Sequence, residues 1–255
     1  MSKIMSISNQ KGGVGKTTTA INLACGFAML GHKTLLIDVD PQFNATSGVG
    51  FEIDKFSKTI YEMFLGKEKI ENIIVKNIKN NLDLIPSSIS LTMLDSQISN
   101  NDENKLILKH ELEKIKNNYE YIVIDCPPSL NLSNINALSA SNSVLIPIQA
   151  EHYALHGVAQ LLRTVKNIKL TTNKNLLIEG VLVTMFDSRT RLCHDVLTEI
   201  KKTFGTKVYE SVIPRSIKIA ESPIEGKSIY EYDKSSKLAK AYLEFTREVI
   251  ENGSK

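Results

Sequence analysis

Apolar and β-branched runs recur along the chain, separated by stretches in which apolar residues return at helical spacing. The runs that predict strands lie at 3–8, 33–39, 82–86, 120–126, 142–148, 176–184 and 207–213. Residues 18–30 are typical of the helical stretches between them. Because strands that alternate with helices form parallel sheets covered on both faces, the pattern predicts an α/β fold with a mainly parallel, twisted sheet.

Three segments rich in Asp, Pro, Gly and Ser follow predicted strands, at 38–48, 125–133 and 185–191. Open α/β sheets bind ligands at the carboxyl ends of their strands, so these loops are the predicted active site. The chain contains neither an internal repeat nor a low-complexity linker. We therefore expect a single domain over residues 1–255, with a flexible tail of a few residues.

Composition is that of a globular chain, with 42% hydrophobic residues among 255. The longest apolar runs are strand length, whereas a bilayer-spanning helix needs about 20 residues. With no secretory leader, the predicted location is the cytoplasm. Cys25, Cys126 and Cys193 lack metal-ligand spacing and are interpreted as reduced, structural residues. His152 and His156 could share a helix face, but without a third ligand a packing or solvated role is favoured.

The formal net charge is +3, an excess that on its own usually means only a solvated surface. The distribution of the basic residues is more informative than their sum. Several cluster in one region of the sequence, namely Arg189, Arg191, Lys201, Lys202, Arg215 and Lys218.

Residues 10–18 read QKGGVGKTT and follow a predicted strand directly. Glycines let successive backbone N–H groups turn toward one anion, and the following helix adds its positive dipole end. Lys16 then faces the β- and γ-phosphates of a nucleotide, and Thr17 supplies a hydroxyl to Mg²⁺. The strict motif has Gly at the position of Gln10. A simple strand-to-helix turn would leave Lys16 and Thr17 unexplained.

Two further strand ends carry carboxylates. Asp38 and Asp40 point the same way on an extended chain and could order Mg²⁺ waters or position an attacking water. An ordinary strand-ending Asp-Pro turn is the alternative. Asp125 ends an apolar strand, as does the aspartate that holds Mg²⁺ in phosphate-loop proteins. Pro127 and Pro128 stiffen the turn after it, which suits a switch segment.

Residues 11–18, 38–42 and 125–129 together resemble the ParA/MinD ATPases, P-loop proteins with a deviant Walker A motif. The similarity is greatest to chromosome-partitioning ParA proteins of the Soj type. It extends over nearly the whole chain and includes residues 43–48, 151–157, 181–187 and 213–215. Phe43 departs from the family, which usually has Gly there, and is expected to stiffen the first switch.

The resemblance implies a Mg²⁺-dependent ATPase, slow on its own, whose ATP-bound form is a homodimer. By position, Lys11 reaches the partner's phosphates, Asp40 helps activate the attacking water, and Gly12 permits close approach at the dimer interface. The implied catalytic residues are Lys11, Lys16 and Asp40, and the implied metal site comprises Thr17, Asp38 and Asp125. The implied nucleotide contacts are Lys11, Gly12, Gly13, Val14, Gly15, Lys16, Thr17 and Thr18, with Met185, Asp187, Pro214 and Arg215 near adenine.

The resemblance also implies a biological role in DNA partition, of a chromosome or a plasmid. Family members bind double-stranded DNA without sequence preference as ATP dimers and release it after hydrolysis stimulated by a ParB-type centromere-binding protein. This chain would then be nucleoid-associated. The candidate DNA contacts are Arg189 and Lys218 first, followed by Arg191, Lys201 and Lys202, with a solvated basic face as the alternative.

A MinD-like division-site regulator is the competing function, and it requires a terminal amphipathic helix that inserts into lipid. Residues 239–251 have helical period but include three acids, so they are predicted to pack on the protein, with no stable membrane association. A nitrogenase-like reductase would need paired cysteines, which the sequence lacks. Because the first strand begins at residue 3, no operator-reading helix-turn-helix is expected before it.

Overall fold

The computed structural model describes residues 2–54, 57–99, 101–151 and 154–253. Its strands are β1 (Lys3–Ile7), β2 (Thr34–Asp38), β3 (Val75–Lys79), β4 (Leu82–Ile85), β5 (Tyr121–Asp125), β6 (Ser143–Gln149), β7 (Leu177–Phe186) and β8 (Val208–Pro214). Its α-helices are α1 (Lys16–Met29), α2 (Asn44–Gly48), α3 (Ile60–Phe64), α4 (Leu94–Gln97), α5 (Ile107–Ile115), α6 (Leu132–Ala140), α7 (His156–Leu170), α8 (Arg191–Phe204), α9 (Lys218–Glu221), α10 (Ile229–Tyr232) and α11 (Lys237–Gly253).

The strands of the described residues form one eight-stranded sheet in the order β3-β4-β2-β5-β1-β6-β7-β8. β3 runs antiparallel to β4, and the other neighbouring strands are parallel. The mainly parallel α/β sheet is confirmed, and each predicted run is a strand to within two residues at either end. β3 was not predicted because its sequence, VKNIK, is largely polar. Polar and lysine-rich sequences are typical of strands at a sheet edge.

Helices cover both faces of the sheet, and β5 shows how alternate side chains serve them. Val123 packs in a cluster with residues of α1 and α11, whereas Ile122 and Ile124 pack with residues of α5 and α6 on the opposite face. A third cluster joins β6 and β7 to α7 and α8. With apolar residues buried on both faces, the polar residues that end the strands remain at the carboxyl edge for a site.

The terminal helix α11 is confirmed as a packing helix. Leu238, Tyr242, Phe245 and Val249 return at helical spacing and are at most 2% exposed. The Phe245 ring meets the Tyr209 ring of β8 edge-to-face, with centroids 4.9 Å apart. Among the residues that the structure describes, no helix combines the length and apolar character needed to cross a membrane.

The cysteines are free and buried, as expected for structural residues. Other sequence expectations concern positions outside the described residues. These are His152, which could share a helix face with His156, and the tail residues 254 and 255.

We predict that Phe245→Ala lowers the free energy of unfolding by about 3–5 kcal/mol, because it leaves a cavity at a fully buried aromatic site. The neighbouring Glu244→Ala, at an exposed position of the same helix, should change it by less than about 0.5 kcal/mol. Urea denaturation followed by circular dichroism measures both. Equal effects of the two substitutions would contradict the packing assigned to α11.

Candidate functional site

The phosphate loop joins β1 to α1 and presents an open backbone cradle. Gly13 and Gly15 have φ of 75° and 85°, in the left-handed region that favours glycine. A Cβ added at Gly12 or Gly13 would meet no atom within 4 Å, so space remains in front of the loop. Lys16 is the first residue of α1. Backbone N–H groups at such a turn and helix start suit a polyphosphate anion.

Two buried polar side chains hold this loop to the neighbouring strands. The Asn9 amide donates to the Pro147 carbonyl at 2.8 Å and accepts from the Lys11 N–H at 3.0 Å. The Thr184 hydroxyl donates to the Val14 carbonyl at 2.9 Å. The sequence motifs assign a role to neither Asn9 nor Thr184. The sequence signal for such a role is their position at the carboxyl ends of apolar strands, where the site is predicted.

Lys16 lies inside the site, with 7% of its surface exposed. Its ammonium donates to the Lys11 carbonyl oxygen at 3.0 Å. Burial lowers the pKa of Lys16, and the negative charges of Asp125 and Asp40 partly oppose this shift. The loop therefore carries a desolvated cation that faces carboxylates, as expected of a phosphate-binding lysine.

Asp125 is a buried carboxylate without a hydrogen-bond partner for either oxygen among the described residues. Burial, reinforced by repulsion from Asp38, raises its pKa well above the usual range, and the Thr17 hydroxyl counteracts part of the shift. Two carboxylate oxygens without hydrogen-bond donors in the described part of the chain, together with a nearby hydroxyl, form an oxygen-rich site that suits a cation. Since Mg²⁺ prefers such oxygen ligands, Asp125 and Thr17 fit the predicted metal site.

Asp38 lies opposite Asp125 in the register of β2 and β5, but its environment differs. Its carboxylate accepts from the Asp40 N–H at 3.0 Å and from the Thr46 N–H and hydroxyl at 2.8 Å each. Burial nevertheless raises its pKa to about 6. These bonds tie the end of β2 to α2, so part of the segment predicted as a loop is helical. A place for Asp38 in the Mg²⁺ shell stays a prediction.

Asp40 lies two residues beyond the end of β2 and is only 7% exposed. Its carboxylate accepts from the Gln42 N–H at 2.9 Å, and its carbonyl accepts from the Ser87 hydroxyl at 2.7 Å. Phe43, three residues later, has φ of 44°. That left-handed conformation is costly for a residue with a side chain, which explains why glycine suits the position. The Phe43 N–H donates to the Asp40 carbonyl at 2.9 Å, and the Phe43 carbonyl accepts from the Ser47 N–H at 3.0 Å.

Lys11, the second lysine of the loop, forms an ion pair with Glu151 of the same chain. Their side chains are 35% and 37% exposed, so the pair lies at the rim of the site. The sequence includes Glu151 in a segment that resembles the family, residues 151–157, but gives it no role. Its position just after an apolar strand, at the same sheet edge as the three aspartates, was the signal for one.

Comparison with known proteins agrees with this geometry. A family model described as an AAA domain matches residues 2–178. The sporulation initiation inhibitor protein Soj of Bacillus subtilis is 47% identical over 253 residues, which cover 99% of this chain and 100% of that protein. The chain belongs to the ParA/Soj family of chromosome-partitioning ATPases.

Solved structures support the same family assignment. Cobyrinic acid a,c-diamide synthase from Mycobacterium smegmatis, with bound ATP analog and magnesium, is 30% identical with a TM-score of 0.88, covering 100% of this chain and 97% of that one. A putative plasmid partition protein from Borrelia burgdorferi B31 bound to AMPPNP is 30% identical with a TM-score of 0.79, covering 99% and 98%.

Of the four adenine contacts that the resemblance to ParA implies, the structure brings three together around one cavity. Met185, Pro214 and Arg215 line a cavity of about 110 Å³ beside Gly15 and Thr18 of the phosphate loop. Met185 has φ of 53°, a second residue with a side chain in the left-handed region. The remaining implied contact, Asp187, is not among the lining residues.

Asp187 instead accepts hydrogen bonds from Arg189, at 3.1 Å from its N–H, 2.9 Å from Nε and 2.7 Å from Nη2. The other predicted DNA contacts lie along α8 and on α9. Lys202 is exposed on α8. Four of the predicted DNA cations are paired with acids of the same chain, as Arg189–Asp187, Arg191–Asp195, Lys201–Glu210 and Lys218–Asp233.

We predict that Asp125→Asn stabilises the protein without nucleotide or Mg²⁺ by about 1–3 kcal/mol at neutral pH, because it removes an uncompensated buried charge. The pKa of Asp125 is higher in the folded than in the unfolded chain, so the loss of stability grows as pH rises from the unfolded chain's pKa toward the folded one. The gain should therefore shrink as pH falls toward the pKa of this carboxyl group in the unfolded chain. Urea denaturation from pH 5 to 8 measures it.

Asp83 supplies the matched control for that experiment. It is also buried, but hydrogen bonds from Asn77, Lys33, Tyr119 and Lys76 outweigh the effect of burial and lower its pKa to about 2. Asp83→Asn should therefore destabilise the protein at neutral pH. Equal destabilisation by both substitutions would contradict the assignment of Asp83 as hydrogen-bonded and Asp125 as a buried carboxylate without compensating hydrogen bonds among the described residues.

Proposed function

We propose that this chain is an ATP-dependent DNA partition ATPase. ATP with Mg²⁺ closes a homodimer, the dimer binds double-stranded DNA without sequence preference, and a ParB-type partner stimulates hydrolysis and release. The observation that carries the proposal is the paired arrangement of Lys16 inside the site and Lys11 at its rim. Kinship with chromosome-partitioning ATPases supports it.

In this proposal the phosphate loop binds the nucleotide through backbone N–H groups and the Lys16 ammonium. Thr17 and Asp125 hold Mg²⁺, with Asp38 in the surrounding shell. When bound there, Mg²⁺ would supply positive charge to offset the negative charge of the phosphates. Asp40 orients the attacking water, and Gly12 allows a second copy to approach so that its Lys11 reaches the γ-phosphate.

We expect slow ATP turnover because the proposed catalytic cations are lysines and not an arginine finger. Arginine fingers accelerate phosphoryl transfer by about 10³–10⁵ in enzymes that have them. Here the proposed catalytic cations are lysines, and Lys11 acts only when a second copy is present. We propose that the ParB-type partner raises the rate by stabilising this closed dimer, which makes the enzyme a timed switch between DNA-bound and free states.

In this scheme DNA binding depends on the dimer, because each of its two subunits contributes the same cations. Arg189 and Lys218 lie on exposed elements and are paired with Asp187 and Asp233, so DNA phosphates must displace these acids. A single copy would bind weakly, whereas two copies double the phosphate contacts. Such binding would place the protein on the nucleoid within the cytoplasm.

A MinD-like membrane regulator is the alternative function. The predicted candidate for its lipid anchor is α11, whose Tyr242 and Phe245 are buried in the core. Insertion into lipid would expose that core, so the packing of α11 favours the DNA-partition proposal. ATP-dependent co-sedimentation with anionic phospholipid vesicles, without any DNA binding, would favour the alternative.

We predict that Asp40→Ala lowers the ATP hydrolysis rate by about 10²–10⁴, because the water loses the group that orients it. Binding of Mg²⁺-ATP, measured by fluorescent nucleotide titration, should be retained. Asp102→Ala, at an exposed acid far along the chain, is the control and should leave the rate unchanged. Full activity of Asp40→Ala would overturn the role given to Asp40.

We predict that DNA binding requires ATP and falls steeply with salt. Lys16→Ala should abolish nucleotide-dependent binding. Arg189→Ala removes two phosphate contacts per dimer, so the slope of log affinity against log salt should decrease in magnitude by about two. Lys114→Ala on α5, which removes a cation elsewhere, should not change that slope. Fluorescence anisotropy with ATP, ADP or no nucleotide measures this, and equal binding with ATP and ADP would refute the switch.

A further inference from the structure

We propose that Glu151 is a positioning residue for Lys11, holding its ammonium within the same chain until ATP in a second copy offers a phosphate in exchange. The inference rests on the proposed function, because it concerns how the dimer of that mechanism forms. It assigns a role to a residue that neither the phosphate-loop motif nor the three aspartates require.

The backbone places both members of this ion pair. Asn9 ties the Lys11 N–H to the Pro147 carbonyl of β6. Two residues beyond the end of the same strand, Glu151 follows Ala150, whose N–H donates to the Thr184 carbonyl at 3.1 Å. The Glu151 N–H in turn donates to the Gln149 carbonyl at 2.9 Å. The end of β6 therefore fixes the carboxylate beside the lysine through main-chain contacts.

The exposure of the pair makes it exchangeable. Lys11 and Glu151 are each about one-third exposed, whereas Asp83, which also binds lysines, is fully buried. Exposed ion pairs shift an equilibrium by at most about fivefold, because water solvates the separated charges well. A γ-phosphate carries more negative charge than one carboxylate and accepts more hydrogen bonds. It can therefore take the ammonium from Glu151.

A nucleotide bound in the phosphate loop of the same copy also affects the Lys11–Glu151 ion pair, through Lys16. The Lys16 ammonium donates to the carbonyl oxygen of Lys11 itself. Phosphates bound in the loop compete with that carbonyl for the Lys16 donors, so they weaken one anchor of the Lys11 backbone. Nucleotide in the same copy thus weakens an anchor of Lys11, and nucleotide in the second copy binds its ammonium. Both effects favour release of Lys11 from Glu151, so the dimer should form only when both copies have bound nucleotide.

The decisive experiment measures the dimer dissociation constant by analytical ultracentrifugation with Mg²⁺ and a non-hydrolysable ATP analogue. Each dimer breaks two Lys11–Glu151 pairs, so Glu151→Gln should lower the constant by about fivefold, and at most about 25-fold. Glu151→Asp should restore a value near wild type. With ADP, every variant should stay monomeric. An unchanged or higher constant for Glu151→Gln would overturn the proposal.

Glu113→Gln is the matched control, since Glu113 pairs with Lys116 on the surface near the end of α5 and the substitution removes the same charge. It should leave the dissociation constant unchanged. Circular dichroism and urea denaturation check that the variants fold alike. If the wild-type chain did not dimerise with the ATP analogue, the proposed function would fail, and the next measurement would still judge the ion pair.

That measurement is the rate at which an amine-reactive acetylating reagent modifies Lys11 without nucleotide, followed by mass spectrometry. An ammonium held by a carboxylate must leave it before reacting, so Glu151→Gln should increase the Lys11 rate by up to about fivefold. Lys116 serves as the internal reference and should not change. An unaltered Lys11 rate would show that Glu151 does not hold the lysine, whatever the dimer does.

Discussion

Two carboxylates buried side by side at the ends of parallel strands constrain the whole site. Asp38 and Asp125 are register partners on β2 and β5, and burial raises the pKa of each. Hydrogen bonds from its own chain compensate part of the cost of burying Asp38, and they shape the segment leading to α2. Asp125 lacks such bonds among the described residues and faces Lys16 and Thr17. The fold thus contains a negative charge that a metal ion would neutralise.

The lysines of the phosphate loop divide the positive charge between the interior and the rim. Lys16 is buried near the carboxylates Asp125 and Asp40, and in the proposed mechanism it binds a phosphate of its own site. Lys11 is at the rim, and Glu151 holds it there. In the proposed mechanism a second copy supplies the phosphate that Lys11 binds, which makes the nucleotide part of the interface.

Four of the predicted DNA contacts, like Lys11, are cations held by carboxylates of the same chain. Arg189 and Lys218 are not free cations but members of ion pairs within the chain. Exposed pairs of this kind are weak, and they are readily exchanged for a polyanion. In the proposed function both phosphate ligands, ATP and DNA, therefore displace carboxylates of the protein itself, and binding is favourable chiefly where several exchanges occur together.

The sequence by itself determined the alternation of strands and helices, the phosphate loop and the family, because these depend on local periodicity and on short contiguous motifs. Tertiary structure decided which carboxylates are compensated, which acid holds Lys11, and which cations of the predicted DNA surface are paired. It also decided that β3, too polar to be recognised, forms a strand at the sheet edge. Glu151 lies 140 residues from Lys11 along the chain. Such contacts are set by the strand order and register of the sheet, which no local pattern specifies.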